Sequence, residues 1–277
     1  MSATLNTVSI EELVADISDG CLLGVTNELG GVSMAATRAL IRRGVKNLRL
    51  FCLPTSSLQA DLLIGAGCIA EIDTSAVTLN EFGLAPRFVS AVQDGAITVH
   101  DSTCPAMHTM LQATEKGVPF MPLRGLIGSD ILRHRPDWKV IDNPFAAGGD
   151  PIVLLPAVAP DVALMHAAMA DQEGNVHIGR RREMATLAHA AKRVLFTVER
   201  VYPGSFFDDE ALATGALSGL YVHAITEAPR GAWPLMLGGE YETDAPHMRR
   251  YVQMAAAPQG FAAYLHEFVL NYAAAAE

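Results

Sequence analysis

The chain has 277 residues, 50% of them hydrophobic and 18% charged, enough for the core of one large α/β domain or two small ones. Its formal net charge is −10 and its longest basic run is Arg180-Arg181-Arg182, which makes nucleic acid and anionic membrane surfaces poor partners. Cysteines 21, 52, 68 and 104 stand alone without a C-x-x-C pair, and the first three lie in apolar segments where a thiol is a small hydrophobe.

The opening MSATLNTVSIEELV has neither a basic start nor an apolar core, so no secretory signal is expected. No apolar run approaches the roughly eighteen residues of a membrane span, and a soluble cytoplasmic protein is the expectation. Ser9-Ile10-Glu11-Glu12 is a capping box, and Ile10, Leu13, Val14 and Ile17 give its helix one apolar face. A short buried strand is predicted over 21–25, then a helix from Ser33 to Gly44, a glycine suited to the residue after a helix end. Strand 48–53, helix 58–66 and a third strand within 69–77 follow. Pro86 opens the helix carrying Phe88, Val89 and Val92. Strand 97–100 comes next, and Pro105 opens a helix over 106–116, closed by Gly117 and Pro119.

Short apolar strands alternating with amphipathic helices predict an α/β protein with an open, mostly parallel sheet and helices on both faces, three layers in all. No repeat, linker or low-complexity segment divides it, so residues 1–277 read as a single domain. After Pro119 the pattern breaks into PFMPLRGLIGSDILRHRPDWKVIDNPFAAGGDP. Connections this long are usually functional or interface-forming; Ser129-Asp130 and Asp142-Asn143-Pro144 read as turns that shape it. Regular structure resumes at 152–155 and 162–169, followed by a turn at 171–175, strands at 194–198 and 221–226, and a largely helical end over 247–274.

In such sheets ligands bind beyond the carboxyl ends of the strands. That collects the loops 25–31, 54–57, 78–83 and 100–103 on one edge. The first lies in DGCLLGVTNELGGV, residues 19–32. It is no Walker A loop, because no lysine follows Gly30 or Gly31, and no dinucleotide fingerprint, because position 26 is threonine. Gly30-Gly31 either offers bare backbone to a ligand or simply turns the chain into the next helix. Asn80 and Glu81 can serve a carboxylate or amide, or belong to a solvated loop. Asp101 and Ser102 precede a helix, where they act as an N-cap or as a carboxylate that orients water. Glu199 ends a strand, and pairing with Arg200 or another buried cation is its expected fate. His166 reads as a satisfied core histidine. No histidine pair at i, i+4 and no Cys/His cluster has ligand spacing, so no metal is expected.

The runs PFMPLRGLIGSD, VIDNPF, PDVALMHAAMADQEGNVHIG and LFTVERV occur in that order. Together they resemble the α subunit of family I coenzyme A transferases, in particular the glutaconate CoA-transferase branch. The resemblance extends from the DG before the first strand to Glu227-Ala228-Pro229, and D-x-A-x-x-H-A…A-D-x-x-G-N is its most specific piece. It implies an open α/β sheet, coenzyme A as a substrate with no permanently bound cofactor, and an active site shared with a homologous β subunit. The attack on the acyl-CoA then comes from a glutamate of that partner; the E-N-G segment that carries it has no copy here, so the chain alone is expected to be inert. The resemblance also implies a glycine-rich loop after the first strand, with backbone N–H groups facing the thioester carbonyl. Gly24 stands at its first glycine and Val25 where many members have a second, and Thr26, Asn27, Gly30 and Gly31 complete it. Polar substrate contacts are implied near Asn80, Glu81 and Ser102. Some relatives hydrolyse or cleave acyl-CoA instead, and there Asp101 would assist a water. A third reading is a regulator or sugar-phosphate binder on the same sheet. It wants a cation in the four loops, and the nearest is Arg87, beyond the third.

Overall fold

The computed structural model describes residues 5, 7–27 and 31–271. Helix α1 (Ile10–Ala15) carries the reciprocal Ser9–Glu12 capping bonds, an arrangement worth about 1 kcal/mol. The alternating half continues through β1 (Leu22–Thr26), α2 (Met34–Arg43), β2 (Leu48–Leu53), α3 (Leu58–Gly65), β3 (Ile69–Thr74), α4 (Pro86–Gln93), β4 (Thr98–Asp101) and α5 (Cys104–Glu115). Gly44 ends α2 in the left-handed region, as its position predicts. Next come β5 (Phe120–Leu123), the one-turn α6 (Ile131–His134), β6 (Lys139–Asp142), β7 (Pro151–Pro156), β8 (Val162–Asp171), β9 (Val176–His177), α7 (Arg182–Ala190) and β10 (Arg193–Tyr202). Then come α8 (Glu210–Ala213), β11 (Ala216–Leu217), β12 (Ala224–Glu227), α9 (Ala245–Ala255) and α10 (Pro258–Leu265), which runs on into a π-helical turn at His266–Leu270.

Among the described residues the main sheet has nine strands. Its parallel path runs β4-β3-β2-β1-β8-β10-β12, and the short β9 and β11 join antiparallel beside β8. One face carries Leu23, Val25, Leu48, Leu50, Leu164 and Leu195 against α1, α2, α3, α9 and α10. The other carries Phe51, Leu53, Ala163, Met165 and Phe196 against α5 and α7. Period-two alternation along each strand separates the two sets, and the sheet is the buried middle layer that the sequence predicts.

Several boundaries depart from expectation. The first strand runs 22–26 rather than 21–25. The helix after β4 starts at Cys104, and its cap is Thr103, whose hydroxyl accepts from the N–H of Ala106 at 3.4 Å. Asp101 and Ser102 therefore do not cap it. The connection over 119–151 is not irregular: β5 and β6 flank β7 in a separate antiparallel sheet, packed on α5. The strand expected over 221–226 is confined to Ala224–Glu227, behind a 3₁₀ turn at Gly219–Tyr221. Pro258 splits the C-terminal helix into α9 and α10, and residues 272–274 of the expected helix lie outside the described residues.

Candidate active site

Strand β8 outlasts β1, and this sets the geometry of the first loop. β1 pairs with β8 only as far as Leu164, while β9 takes the same strand from Met169 onward. In between, the N–H of His166 donates to the carbonyl of Gly31 at 2.8 Å, so the chain leaving β1 comes back to β8 before α2 begins. The hydroxyl of Thr26, the last residue of β1, donates to the same carbonyl at 3.3 Å. Gly31 has φ +76°, and a Cβ there would be driven into the main-chain oxygen of His166. Only glycine fits this crossing.

Gly24 and Val25 lie inside β1 rather than in the loop after it. Val25 is buried in the helix-packed core. A Cβ on Gly24 would come 2.7 Å from the Leu187 methyl and 3.2 Å from the Pro160 ring, so this glycine lets α7 approach the sheet. Thr26, Asn27 and Gly31 do sit at the carboxyl end of β1; Gly30 lies outside the described residues.

A line of buried polar groups supports this end of the sheet from below. Glu199 near the end of β10 accepts from His166 Nε2 at 2.7 Å, from the Tyr241 hydroxyl at 2.6 Å, and from the main-chain N–H groups of Arg230 and Gly231 at 2.5 and 3.2 Å. Burial alone would raise this carboxyl, but the bonds from His166, Tyr241 and Arg230 hold it below the usual range. Arg200 is not its partner; its guanidinium bonds both oxygens of Glu240, at 2.8 and 2.9 Å. On its other nitrogen His166 meets the Thr197 hydroxyl at 2.8 Å, which meets the Ser33 hydroxyl at 2.6 Å. His166 is a satisfied core histidine, as expected, but the sequence did not reveal what it connects.

The other three loops are laced together. Ser75 N donates to Pro54 O at 3.0 Å, Thr78 N to Ser56 O at 3.1 Å, and Ser102 N to Thr74 O at 3.1 Å. Asn80, at φ +54°, opens a 3₁₀ turn, donating its N–H to the Thr78 hydroxyl at 3.2 Å and accepting from Gly83 at 3.0 Å. Glu81 beside it is exposed. Asp101 is exposed at the end of β4, its carboxylate accepting from Ser102 N at 3.0 Å. The Ser102 hydroxyl is buried and, among the described residues, has no hydrogen-bond partner. The sheet edge thus gathers Thr26, Asn27, Gly31, Asn80, Glu81, Asp101 and Ser102, and leaves Gly24 and Val25 below it.

Behind β4 the open face of β2–β4 forms a cleft of about 710 Å³. Its charges are satisfied internally. Glu71 pairs with Arg49 at 3.4 Å and His100 at 3.0 Å, and the buried Arg135 pairs with Asp73 at 3.2 Å and Asp137 at 2.8 Å. Burial raises the Asp73 carboxyl despite Arg135. Among the described residues no group of three or more His, Cys, Asp or Glu is placed to hold a metal ion, and no helix is long and apolar enough to cross a membrane.

The polar residues of the D-x-A-x-x-H-A…A-D-x-x-G-N run each hold a seam. Asp161 accepts from Leu22 N at 2.9 Å and Lys192 Nζ at 2.7 Å, tying the starts of β1, β8 and β10. Asp171 accepts from Asn175 N and Nδ2 at 2.9 and 2.8 Å and from Phe206 N at 2.8 Å, fixing the turn after β8.

The chain's resemblances agree with this construction. A family model described as coenzyme A transferase matches residues 7–228. The A subunit of the 3-oxoadipate CoA-transferase of Pseudomonas knackmussii is 32% identical over 270 residues, 94% of this chain and 91% of its own length. A protein of Archaeoglobus fulgidus is 31% identical over 95% of this chain, and the chain spans 59% of that relative's length. A cholesterol ring-cleaving hydrolase IpdA subunit of Rhodococcus jostii is 28% identical over 98% of this chain and 92% of its own length. Among solved structures, glutaconate coenzyme A-transferase of Acidaminococcus fermentans shares the fold, with a TM-score of 0.88 at 24% identity over 96% of this chain and 89% of that one. A variant of the AibA/AibB decarboxylase superposes with a TM-score of 0.82 at 29% identity, covering 96% of this chain and 100% of that one. The chain belongs to the coenzyme A transferase family.

Proposed function

We propose that the chain is the α subunit of a two-component CoA transferase, which moves CoA from an acyl-CoA thioester to a carboxylic acid. The observation that most directly supports this is its likeness, along 94% of its length, to the named A subunit of such an enzyme. The nucleophile is assigned to a glutamate of a homologous β subunit, since no E-N-G segment occurs in this sequence. That carboxylate attacks the thioester carbonyl and expels CoA thiolate, leaving a mixed anhydride. The thiolate attacks the glutamyl carbonyl of the anhydride, releasing the donor acid and leaving a glutamyl-CoA thioester. The acceptor carboxylate then attacks the glutamyl-CoA carbonyl and expels CoA thiolate, giving a second mixed anhydride. The thiolate attacks the acceptor's acyl carbon, releasing the new acyl-CoA and the free glutamate. Each addition places negative charge on a carbonyl oxygen, and main-chain N–H groups of the loop after β1 are what this chain offers it.

Purified alone, the chain is expected to transfer no CoA; with its β subunit it should turn over. Trapping the acyl-enzyme with hydroxylamine or borohydride should label only the partner. Turnover by the lone chain, or a modified glutamate in it, overturns the assignment.

The likeness to the R. jostii protein favours a hydrolase as the second possibility. There Asp101 would serve the water. If CoA is transferred, Asp101→Asn should slow the reaction about tenfold or less, because the carboxylate only orients its neighbours. If water is the acceptor, loss of a general base costs about a hundred- to ten-thousand-fold. CoA release measured with and without an acceptor acid separates the two. The expected result is acceptor-dependent release and a mild variant; acceptor-independent release abolished by Asp101→Asn makes the enzyme a hydrolase.

A further inference from the structure

Buried polar groups are costly unless paired, so a connected line of them through a core needs a reason. The line through His166 is longer than its two neighbours. Ser33 begins α2, and its carbonyl accepts from the Thr37 hydroxyl at 2.7 Å, which in turn accepts from Gln59 Nε2 of α3 at 2.9 Å. At the far end Glu199 holds the N–H groups of residues 230 and 231, and the carbonyl of Gly231 accepts from Ala35 N at 2.9 Å. His166 is fully buried, so it touches no substrate itself. Yet its main chain holds Gly31, one ring nitrogen holds Thr197 and through it Ser33, and the other holds Glu199. The end of the turn into α2 is thereby tied at Gly31 to the main chain of His166 and at Ser33 to its ring.

We propose that His166 is a positioning residue for the end of the loop that leads from β1 into α2, setting where the main chain of Gly31 to Ser33 lies. The consequence for catalysis rests on the assignment of that loop to the thioester oxygen. An imidazole suits the place because it reaches two partners in opposite directions from a rigid ring. With Nε2–H donating to the carboxylate, Nδ1 accepts from Thr197, and Thr197 accepts from Ser33, so every hydroxyl proton has an acceptor. Buried and bonded at both ends, the ring has no freedom to turn.

The test uses the two-subunit enzyme carrying His166→Gln or His166→Asn. Glutamine places its amide near the Nε2 position and keeps the bond to Glu199; asparagine places its amide near Nδ1, keeps Thr197 and releases Glu199. A displacement of amides that act only in the transition state lowers kcat and leaves KM unchanged. The expected loss in kcat is about a hundredfold for glutamine, which frees Thr197 and with it Ser33, and about tenfold for asparagine. Unchanged kcat per folded enzyme, or a rise in KM alone, overturns the proposal. Should His166→Gln not accumulate as folded protein, Thr197→Val removes the same hydroxyl link at nearly constant shape and carries the same expectation. Amide hydrogen exchange on the purified full chain decides the point independently of turnover. The N–H groups of residues 166 and 35 report the two ties; the first should exchange faster in His166→Gln and the second in His166→Asn. Unaltered exchange there refutes the positioning role even if the wild-type enzyme transfers no CoA, whereas an inactive wild-type enzyme with the expected exchange refutes only the transferase assignment.

Discussion

Gly31→Ala is expected to lower the melting temperature by about 5–10 °C and to reduce turnover of the two-subunit enzyme about a hundredfold or more. Two costs add. An alanine held at φ +76° pays roughly 1–3 kcal/mol in backbone strain. Its Cβ also collides with the main-chain oxygen of His166, which cannot retreat because β8 is paired with β10 along this stretch. The loop must therefore move. Gly44 supplies the control, since it has nearly the same φ, +78°, and no atom within 4 Å of where a Cβ would stand. Gly44→Ala should cost only the strain, about 1–2 kcal/mol, and leave kcat untouched. Asparagine tolerates left-handed backbone, so Gly44→Asn should recover part of that loss. Gly31→Asn should not recover, because its Cβ meets the same oxygen. Recovery at position 31 would mean that strain, not the collision, is what glycine avoids there, and kcat unchanged in Gly31→Ala would remove the loop from the chemistry.

The parallel half of the fold was legible because its strands are short apolar runs bounded by capping residues, glycines and prolines. The small antiparallel sheet was not. β6 is exposed along its whole length, and β5 and β7 carry Pro122, Pro151 and Pro156, which argue against strands when read locally. What makes them strands is their pairing with one another and the burial of Val153 and Leu155 against α5. Helix α7 went unread although Met184, Leu187 and Ala188 have helical spacing and are buried. At the site, loop positions followed from strand order, but the partners of His166 did not. Thr197 lies 31 residues away, and it stands opposite His166 only through the β8–β10 register. A signal was present nonetheless: Thr197 and Glu199 follow Leu195 at period two, so one face of an apolar strand turns polar at its carboxyl end.

Asp61→Asn is expected to make the chain more sensitive to acid, although it removes a carboxylate from the core. Asp61 is fully buried on α3 and stands in for the missing side-chain cap of α4, accepting from Phe88 N at 2.6 Å and from the Tyr251 hydroxyl at 2.5 Å. Burial outweighs those bonds and pushes its carboxyl up to about 6. Tyr251 packs on Tyr264, whose hydroxyl meets His247 Nε2 at 2.8 Å, and burial pushes that imidazole down to about 4. The two groups work in opposite senses. As pH falls from about 6 to 4, folded Asp61 takes up a proton while the unfolded carboxyl, near 3.9, does not, so stability rises. From about 6.5 to 4, unfolded His247 is protonated while the folded ring stays neutral, so stability falls. Each window is about two units wide, or on the order of 3 kcal/mol, and the two nearly cancel. In Asp61→Asn the amide oxygen can keep Phe88 N and the amide nitrogen can donate to Tyr251, so packing is preserved while the gain on acidification disappears. Urea unfolding between pH 4 and 7 should show the variant losing about 3 kcal/mol more than the wild type, and His247→Gln should show the reverse. Other carboxylates held low, such as Glu199, lose stability in acid as well, but equally in all three proteins, so the difference between profiles isolates the pair. Parallel profiles for wild type and Asp61→Asn would mean that Asp61 keeps an ordinary carboxyl in the folded chain, and that the contact with Tyr251 compensates fully for its burial.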